Sequence, residues 1–154
     1  MRSFITLATL CLGLVAAAQE PNDMLELLRS DLRTERQGIV LSSLNMTEEQ
    51  NTVFMPIYDE YVAAMKEVWN KRLALVDDYT HARETMSDTQ AASFMKRLFA
   101  LEREDVSLRE KYAQKMDKVL PTNLAARWVQ IERRLGQLME LQVANEVPLV
   151  PAKH

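Results

Sequence analysis

Apolar residues recur at intervals of three and four positions over most of this chain of 154 residues. This spacing places them on one face of an α-helix. Alternating apolar and polar runs bounded by turn residues, which would indicate strands, are nearly absent. The pattern therefore predicts an all-α protein with four helices, near residues 22–42, 47–82, 87–120 and 121–145.

Two of the predicted helices begin with nearly the same residues, MTEEQ at 46–50 and MSDTQ at 86–90. Each stretch has a hydroxyl residue three positions before a glutamine. In a capping box the hydroxyl accepts a hydrogen bond from a first-turn amide, and the glutamine side chain accepts one from the amide of the cap residue. The repeat therefore marks two helix starts, and the predicted capping residues are Thr47, Gln50, Ser87 and Gln90.

The second and third predicted helices carry matching heptad seams, and the short connection at 83–86 predicts that they form an antiparallel hairpin. Pairing around that connection sets Tyr79 against Ala91 and Tyr61 against Leu108. Helices of this length span on the order of 50 Å, which predicts an elongated protein. The seam residues are Phe54, Tyr58, Tyr61, Met65, Val68, Leu75 and Tyr79 on one helix, and Ala91, Phe94, Leu98, Leu101, Leu108 and Tyr112 on the other.

Two charged residues, Arg72 and Asp105, interrupt these seams. In the predicted register they lie two layers apart and cannot pair with each other. We expect Arg72 to extend along the surface towards solvent, and the alternative is a partner on another helix or another subunit.

Helix three has a second apolar line, called here the outer line, made of Met95, Phe99, Val106, Ala113 and Leu120. A two-helix hairpin cannot cover both faces of one helix. Helices one and four, or a second protomer, must cover the apolar surface of helix three that the hairpin leaves exposed. Because an elongated helical protein has a thin core, we expect a homodimer. The outer line is the candidate surface for a client protein or for the dimer. Helix four brings its own seam of Leu124, Trp128, Ile131, Leu135 and Leu138, with Gly136 allowing close approach.

The two ends of the chain differ from its middle. Residues 1–18 combine Arg2, an apolar run and small residues before position 19, which is typical of a secretory signal peptide cleaved near Ala18. The apolar run is shorter than the roughly 20 residues that a membrane span needs. We therefore expect one helical domain at 19–147, a proline-containing extended tail at 148–154, and no integral membrane segment after cleavage.

Composition narrows the possible functions. Cleavage would remove Cys11, the single cysteine, so the mature chain has no disulfide or thiolate. The formal charge of −3 would become one unit more negative with the loss of Arg2, which argues against nucleic-acid binding. Phosphate loops and nucleophile motifs are absent, so we expect neither an enzyme nor a bound cofactor. Asp77 and His81 lie four apart on one helix and are weak candidates for a metal site, since two ligands do not complete one.

A secretion signal, a small helical chain and the apolar-[Ser/Thr]-x-x-Gln helix starts resemble the Spy/CpxP group of periplasmic proteins with the LTxxQ motif. The resemblance covers mainly 44–120, with Met in place of Leu at positions 46 and 86 and Ser in place of Thr at 87. It implies a dimer of helical hairpins in the periplasm that binds unfolded proteins without ATP or inhibits an envelope-stress sensor. Related proteins in this group include metal sensors.

The sequence thus leads to three functional hypotheses. The first is a chaperone-like or regulatory binding protein of the periplasm, whose partners are unfolded or envelope proteins. The second is a metal-responsive sensor. The third is a structural scaffold without catalytic function, in which helices one and four bury the outer line completely.

Overall fold

The computed structural model describes residues 35–151, and from Arg36 onward these belong to one compact unit. Residues 35–44 are helical (α1), followed by α2 (Glu48–Ala82), α3 (Asp88–Asp117) and α4 (Thr122–Glu146). Residues 35–151 contain no strand, and the predicted all-α fold with four helices is confirmed. The predicted signal peptide, the start of helix one, Cys11 and His154 lie outside the described residues.

Both predicted capping boxes are present and fix where α2 and α3 begin. The backbone amide of Gln50 donates to Thr47 Oγ1 at 3.3 Å, and the Thr47 amide donates to Gln50 Oε1 at 3.0 Å. At α3, the Gln90 amide donates to Ser87 Oγ at 3.3 Å and the Ser87 amide donates to Gln90 Oε1 at 2.9 Å. Each box satisfies amides that a helix N-terminus leaves without intrahelical partners.

Helices α2 and α3 form the predicted hairpin, but its layers are shifted by one step. The ring of Tyr61 meets Tyr112 edge-on at 5.5 Å, and Tyr79 lies 4.8 Å from Phe94, so the predicted partners Leu108 and Ala91 are each one seam position too early. A 3-10 turn at Arg83–Thr85 continues the helical path of α2 before the chain reverses. The reversal point therefore lies nearer to Met86 than the sequence suggested.

The main core, called here the base cluster, lies at the hairpin end away from the α2–α3 connection. It combines apolar and aromatic residues of all four helices. Its buried members are Val40, Leu44, Phe54, Tyr58, Tyr61, Met65, Val68, Tyr112, Met116, Leu120, Ala125 and Trp128. Towards the connection, the buried residues outside this cluster are Leu75, Tyr79, Met86 and Leu101.

Helix α4 turns a slightly different face inward from the one expected. Ala125 and Trp128 are buried, whereas Leu138 is exposed, so the predicted seam is wrong at its last position. The expected close approach at Gly136 is also wrong, because a Cβ placed there meets nothing within 4 Å. No helix within residues 35–151 is both long and apolar enough to cross a membrane.

Candidate functional site

The predicted outer line of α3 divides into an exposed part and a buried part. Met95 and Phe99 are each 52% exposed and Val106 is 59% exposed. Ala113 packs partly against the base cluster and Leu120 is buried within it. The last two residues therefore cannot belong to an open surface, and the candidate binding surface, called here the outer face, consists of Met95, Phe99 and Val106.

Three ion pairs join the flanks of α2 and α3 beside the seam. Arg97 Nη2 lies 2.7 Å from Asp78 Oδ2, and Lys71 Nζ lies 2.6 Å from Glu104 Oε1. Lys115 Nζ lies 2.5 Å from a carboxylate oxygen on α2, and that hydrogen bond raises the pKa of the Lys115 amine. Exposed pairs of this kind contribute little stability each, because solvent and salt screen them. They are found where α3 faces α2, not on the outer face.

Each of the two charged seam residues forms an ion pair, Arg72 with a carboxylate and Asp105 with a guanidinium. Arg72 Nη1 lies 3.1 Å from Glu140 Oε1 on α4, and its guanidinium lies 5.3 Å from the centre of the Trp69 ring. The expectation that Arg72 simply extends towards solvent is therefore wrong, and the alternative of a partner on another helix holds. Asp105 Oδ1 accepts from Arg109 Nη2 at 2.7 Å on its own helix.

A buried carboxylate, Glu132 of α4, links three helices. Its side chain has 0% exposure and forms an ion pair with Arg36 of α1 through Oε2. The same oxygen accepts a hydrogen bond of 2.9 Å from the hydroxyl of Tyr61 on α2. Trp128, one turn earlier on α4, packs edge-on against the Tyr61 ring at 4.9 Å. Arg36 also places Nη1 3.5 Å from the sulfur of Met139.

Burial and charge shift the pKa values around this carboxylate in consistent directions. Burial lowers the pKa of Arg36. The charge of Glu132 and the hydrogen bond to it together raise this pKa by more than burial lowers it, so the net shift is upward. Burial, followed by the negative charge of Glu132, raises the pKa of the Tyr58 and Tyr61 phenols. The guanidinium thus stays charged and both phenols stay neutral near pH 7, which is the arrangement expected of a structural ion pair.

Several polar atoms next to this ion pair are buried without a hydrogen-bond partner among residues 35–151. They include Glu132 Oε1, the Tyr58 hydroxyl and Trp128 Nε1. A buried polar group without a partner costs about 1–3 kcal/mol. Some buried polar atoms of this region are therefore paired, and others remain unpaired at a cost in stability.

Glu132 is not among the residues predicted from the sequence, although the sequence contains a signal for it. Ala125, Trp128, Glu132 and Met139 follow intervals of three, four and seven, so Glu132 lies on the same helical face as the apolar residues around it. A single acidic residue inside such a stripe indicates a buried, paired carboxylate. Its partner Arg36 is 96 positions away and no local pattern identifies it.

The weak metal candidates Asp77 and His81 lie on the surface of α2. Their side chains are 68% and 78% exposed, His81 Nδ1 lies 3.5 Å from Asp77 Oδ1, and it also lies 2.9 Å from the Asp77 backbone oxygen. Within the described residues, no three or more His, Cys, Asp or Glu side chains come together as metal ligands. The two side chains thus offer an exposed pair rather than a coordination sphere.

An open surface pocket of about 480 Å³ lies where the α1–α2 connection meets the start of α4. Arg127 is the one ionisable residue that lines it, and Arg127 Nε already donates to the Ser43 carbonyl at 2.7 Å. The other lining residues are aliphatic or carry amides: Leu44, Asn45, Asn123, Leu124, Ala126 and Gln130. Its polar side chains are exposed, so the pocket does not bury them around a small ligand as an enclosed binding site does.

Comparison of this chain with known protein families, with curated proteins and with solved structures found no match. Its function must therefore be argued from its own residues.

Proposed function

We propose that this protein is a periplasmic binding protein of the Spy/CpxP type that holds apolar segments of unfolded envelope proteins without using ATP. The outer face of α3 is the proposed binding surface. The single observation that carries the proposal is the exposure of Met95, Phe99 and Val106 on one side of a long, well-capped helix.

The side chains of this face suit a binding surface for varied partners. Methionine is unbranched and polarizable, and it adapts to irregular apolar surfaces. A half-exposed phenylalanine offers a large apolar area that bound protein can remove from water. Exposed apolar residues that share one face favour an interaction surface more than isolated ones do.

The alternatives have less support. A metal sensor needs a ligand set, and Asp77 with His81 supplies two exposed side chains. A scaffold in which α1 and α4 bury the outer line requires Met95, Phe99 and Val106 to be covered, and they are not covered within residues 35–151.

The proposal is tested by measuring how the mature protein slows the aggregation of several chemically unfolded client proteins at stoichiometric ratio. The variant Met95→Gln/Phe99→Gln/Val106→Gln removes the outer face while keeping residues that tolerate a helix. A matched control, Val53→Gln/Leu138→Gln/Leu141→Gln, removes three exposed apolar residues from α2 and α4. We expect the outer-face variant to lose about tenfold in potency, as hot-spot residues do, and the control to keep it.

Three outcomes contradict the proposal. The wild-type protein fails to slow aggregation, or the two variants lose potency equally. In the third, the outer-face variant becomes monomeric in light scattering while the wild type is a dimer, which assigns the face to a second copy. Dimerisation elsewhere, as the resemblance implies, leaves both variants dimeric.

The proposed location is tested by expressing the full chain with a C-terminal tag and fractionating the cells. We expect the tagged protein in the periplasmic fraction, with its N-terminus at Gln19, since the small residues before it suit signal peptidase. An N-terminus at Met1 in the cytosolic fraction would contradict it.

A further inference from the structure

We propose that the segments bound at the outer face carry carboxylates along one edge, so the preferred partner is an apolar segment with acidic residues. This inference rests on the proposed function and names the class of partner. It follows from how the cations of α3 are arranged.

The cations of α3 fall into two groups. Arg97, Arg109 and Lys115 each form an ion pair with a carboxylate of α2 or α3. Lys96 and Arg103, by contrast, are exposed and have no ion pair within residues 35–151. Lys111 also has no ion pair within residues 35–151, but it lies about 120° around the helix from Phe99, and its amine is 5.5 Å from the centre of the Tyr112 ring. Lys96 and Arg103 are thus the two unpaired cations of α3 that stand beside the outer face.

Lys96 precedes Phe99 by three positions and Arg103 follows it by four. With about 100° per residue, both lie on the same side of Phe99, and about 10 Å of helix rise separates them. Glu102 falls on the opposite side, and Glu110 lies beyond Val106, where it accepts a hydrogen bond from Gln114 at 3.4 Å. The outer face around Phe99 therefore has one cationic edge and one anionic edge.

This arrangement matches a specific partner chemistry. An amphipathic helix with two carboxylates seven positions apart spans the same ~10 Å. An arginine guanidinium can hold a carboxylate with two parallel hydrogen bonds, whereas a lysine acts as a point charge. Because both cations are exposed, salt screens their attraction to the carboxylates of a bound segment, with a Debye length of about 8 Å at physiological ionic strength. Charge thus selects among segments that the apolar residues hold.

The experiment measures binding of two labelled amphipathic peptides by fluorescence anisotropy. Both peptides have leucines on one face. One has two glutamates spaced as Lys96 and Arg103 are, and the other has glutamines in their place. The proteins are the wild type, Lys96→Gln/Arg103→Gln, and the control Lys66→Gln/Arg134→Gln, which removes the same charge from exposed positions on α2 and α4.

We expect wild type and control to bind the acidic peptide about fivefold more tightly than the neutral one at low salt, and at ~0.5 M salt the preference should largely disappear. Lys96→Gln/Arg103→Gln should bind both peptides with the affinity that wild type has for the neutral one. Equal affinity of wild type for both peptides, or the same loss in the control, would overturn the inference.

The variant Met95→Gln/Phe99→Gln/Val106→Gln separates this inference from the proposed function. If it loses both peptides while wild type does not distinguish them, the outer face binds apolar segments but charge does not select them. If it binds both peptides as wild type does, or if wild type binds neither, the proposed function fails and the inference fails with it.

Discussion

The two ends of the α2–α3 hairpin are built differently. In the base cluster, residues of α1 and α4 join the hairpin, and Phe54, Tyr58, Tyr61 and Trp128 are almost fully buried. Towards the connection, Tyr79 and Phe94 still pack together at 4.8 Å, but the opposite side of α3 exposes Met95 and Phe99. The same helix is thus a core element at one end and a surface element at the other.

The difference shows that a heptad seam fixes only one face of a helix. The α2-facing seam of α3 is used along its whole length, because the hairpin accompanies it throughout. The other face depends on what lies beside it: Ala113 packs partly against the base cluster, whereas Phe99 is 52% exposed. Stability should therefore concentrate in the base cluster, and binding capacity at the connection end.

The largest expected effect breaks the buried ion pair of the base cluster. Glu132→Ala leaves the Arg36 guanidinium buried without its carboxylate, and losing one partner of a buried pair costs about 3–5 kcal/mol. The free energy of unfolding is measured by urea denaturation followed by circular dichroism. The double variant Arg36→Met/Glu132→Leu replaces both charges with apolar side chains and should recover most of that loss. A single variant as stable as wild type would contradict the structural role of this pair.

The contrast between the two ends can be measured with one residue type. Phe54 is 0% exposed in the base cluster and Phe99 is 52% exposed on the outer face. Phe54→Ala should lower the free energy of unfolding by about 3–5 kcal/mol, whereas Phe99→Ala should lower it by at most about 1 kcal/mol. Similar losses for both variants in urea denaturation would show that the outer face is covered in solution.

A smaller effect distinguishes two neighbouring tyrosines of the base cluster. The Tyr61 hydroxyl donates to Glu132, and the Tyr58 hydroxyl has no hydrogen-bond partner among the described residues. Tyr61→Phe should cost about 1.5–3 kcal/mol, as expected for a hydrogen bond to a charged group, and Tyr58→Phe, which removes an unpartnered buried hydroxyl, should be neutral or stabilising. Thermal unfolding of the two variants, which differ by the same single oxygen, measures this difference.

The same tyrosines predict how stability depends on alkaline pH. Burial raises the pKa of the Tyr58 and Tyr61 phenols above the ordinary value of about 10. A raised pKa in the folded state means that their contribution is fully present below pH ~10 and is lost as the pH rises towards the folded-state values. Tyrosinate absorbance from these two residues should therefore appear together with unfolding. Its appearance in the folded protein would contradict their burial.

The smallest expected effect concerns Gly136 in α4. A Cβ at this position meets nothing within 4 Å, and glycine in a helix interior is less favourable than alanine. Gly136→Ala should raise the free energy of unfolding by about 0.5–1 kcal/mol. A loss of stability in thermal unfolding would indicate a neighbour close to this glycine, such as a second protomer.

Local patterns in the sequence were enough to predict the helices, the two capping boxes and the α2-facing seam. These features depend on residues within a few turns of each other, as Thr47 with Gln50 does. The hairpin register was one step off because the 3-10 turn at Arg83–Thr85 has no strong sequence signal. It changes where the chain reverses, and the ring pairs of Tyr61 and Tyr79 shift with it.

The candidate site was predicted in part. Periodicity identified the outer line, but it could not tell which of its residues the other helices cover, so Leu120 was assigned to the surface and is buried. The bond between Arg36 and Glu132 depends on the packing of α1 against α4. Its two residues are too far apart in sequence for any periodic pattern to connect them.

The bond between Arg36 and Glu132 also determines when the fold can be completed. Because 96 positions separate the two residues, a chain that is synthesised from its N-terminus cannot form this contact until α4 has been made. Closing so long a segment carries an entropic cost that local helix formation does not. While α4 is still missing, the guanidinium remains hydrated and the apolar side of α1 lacks part of its cover. We therefore expect the docking of the first described helix against the last to be among the latest steps of assembly.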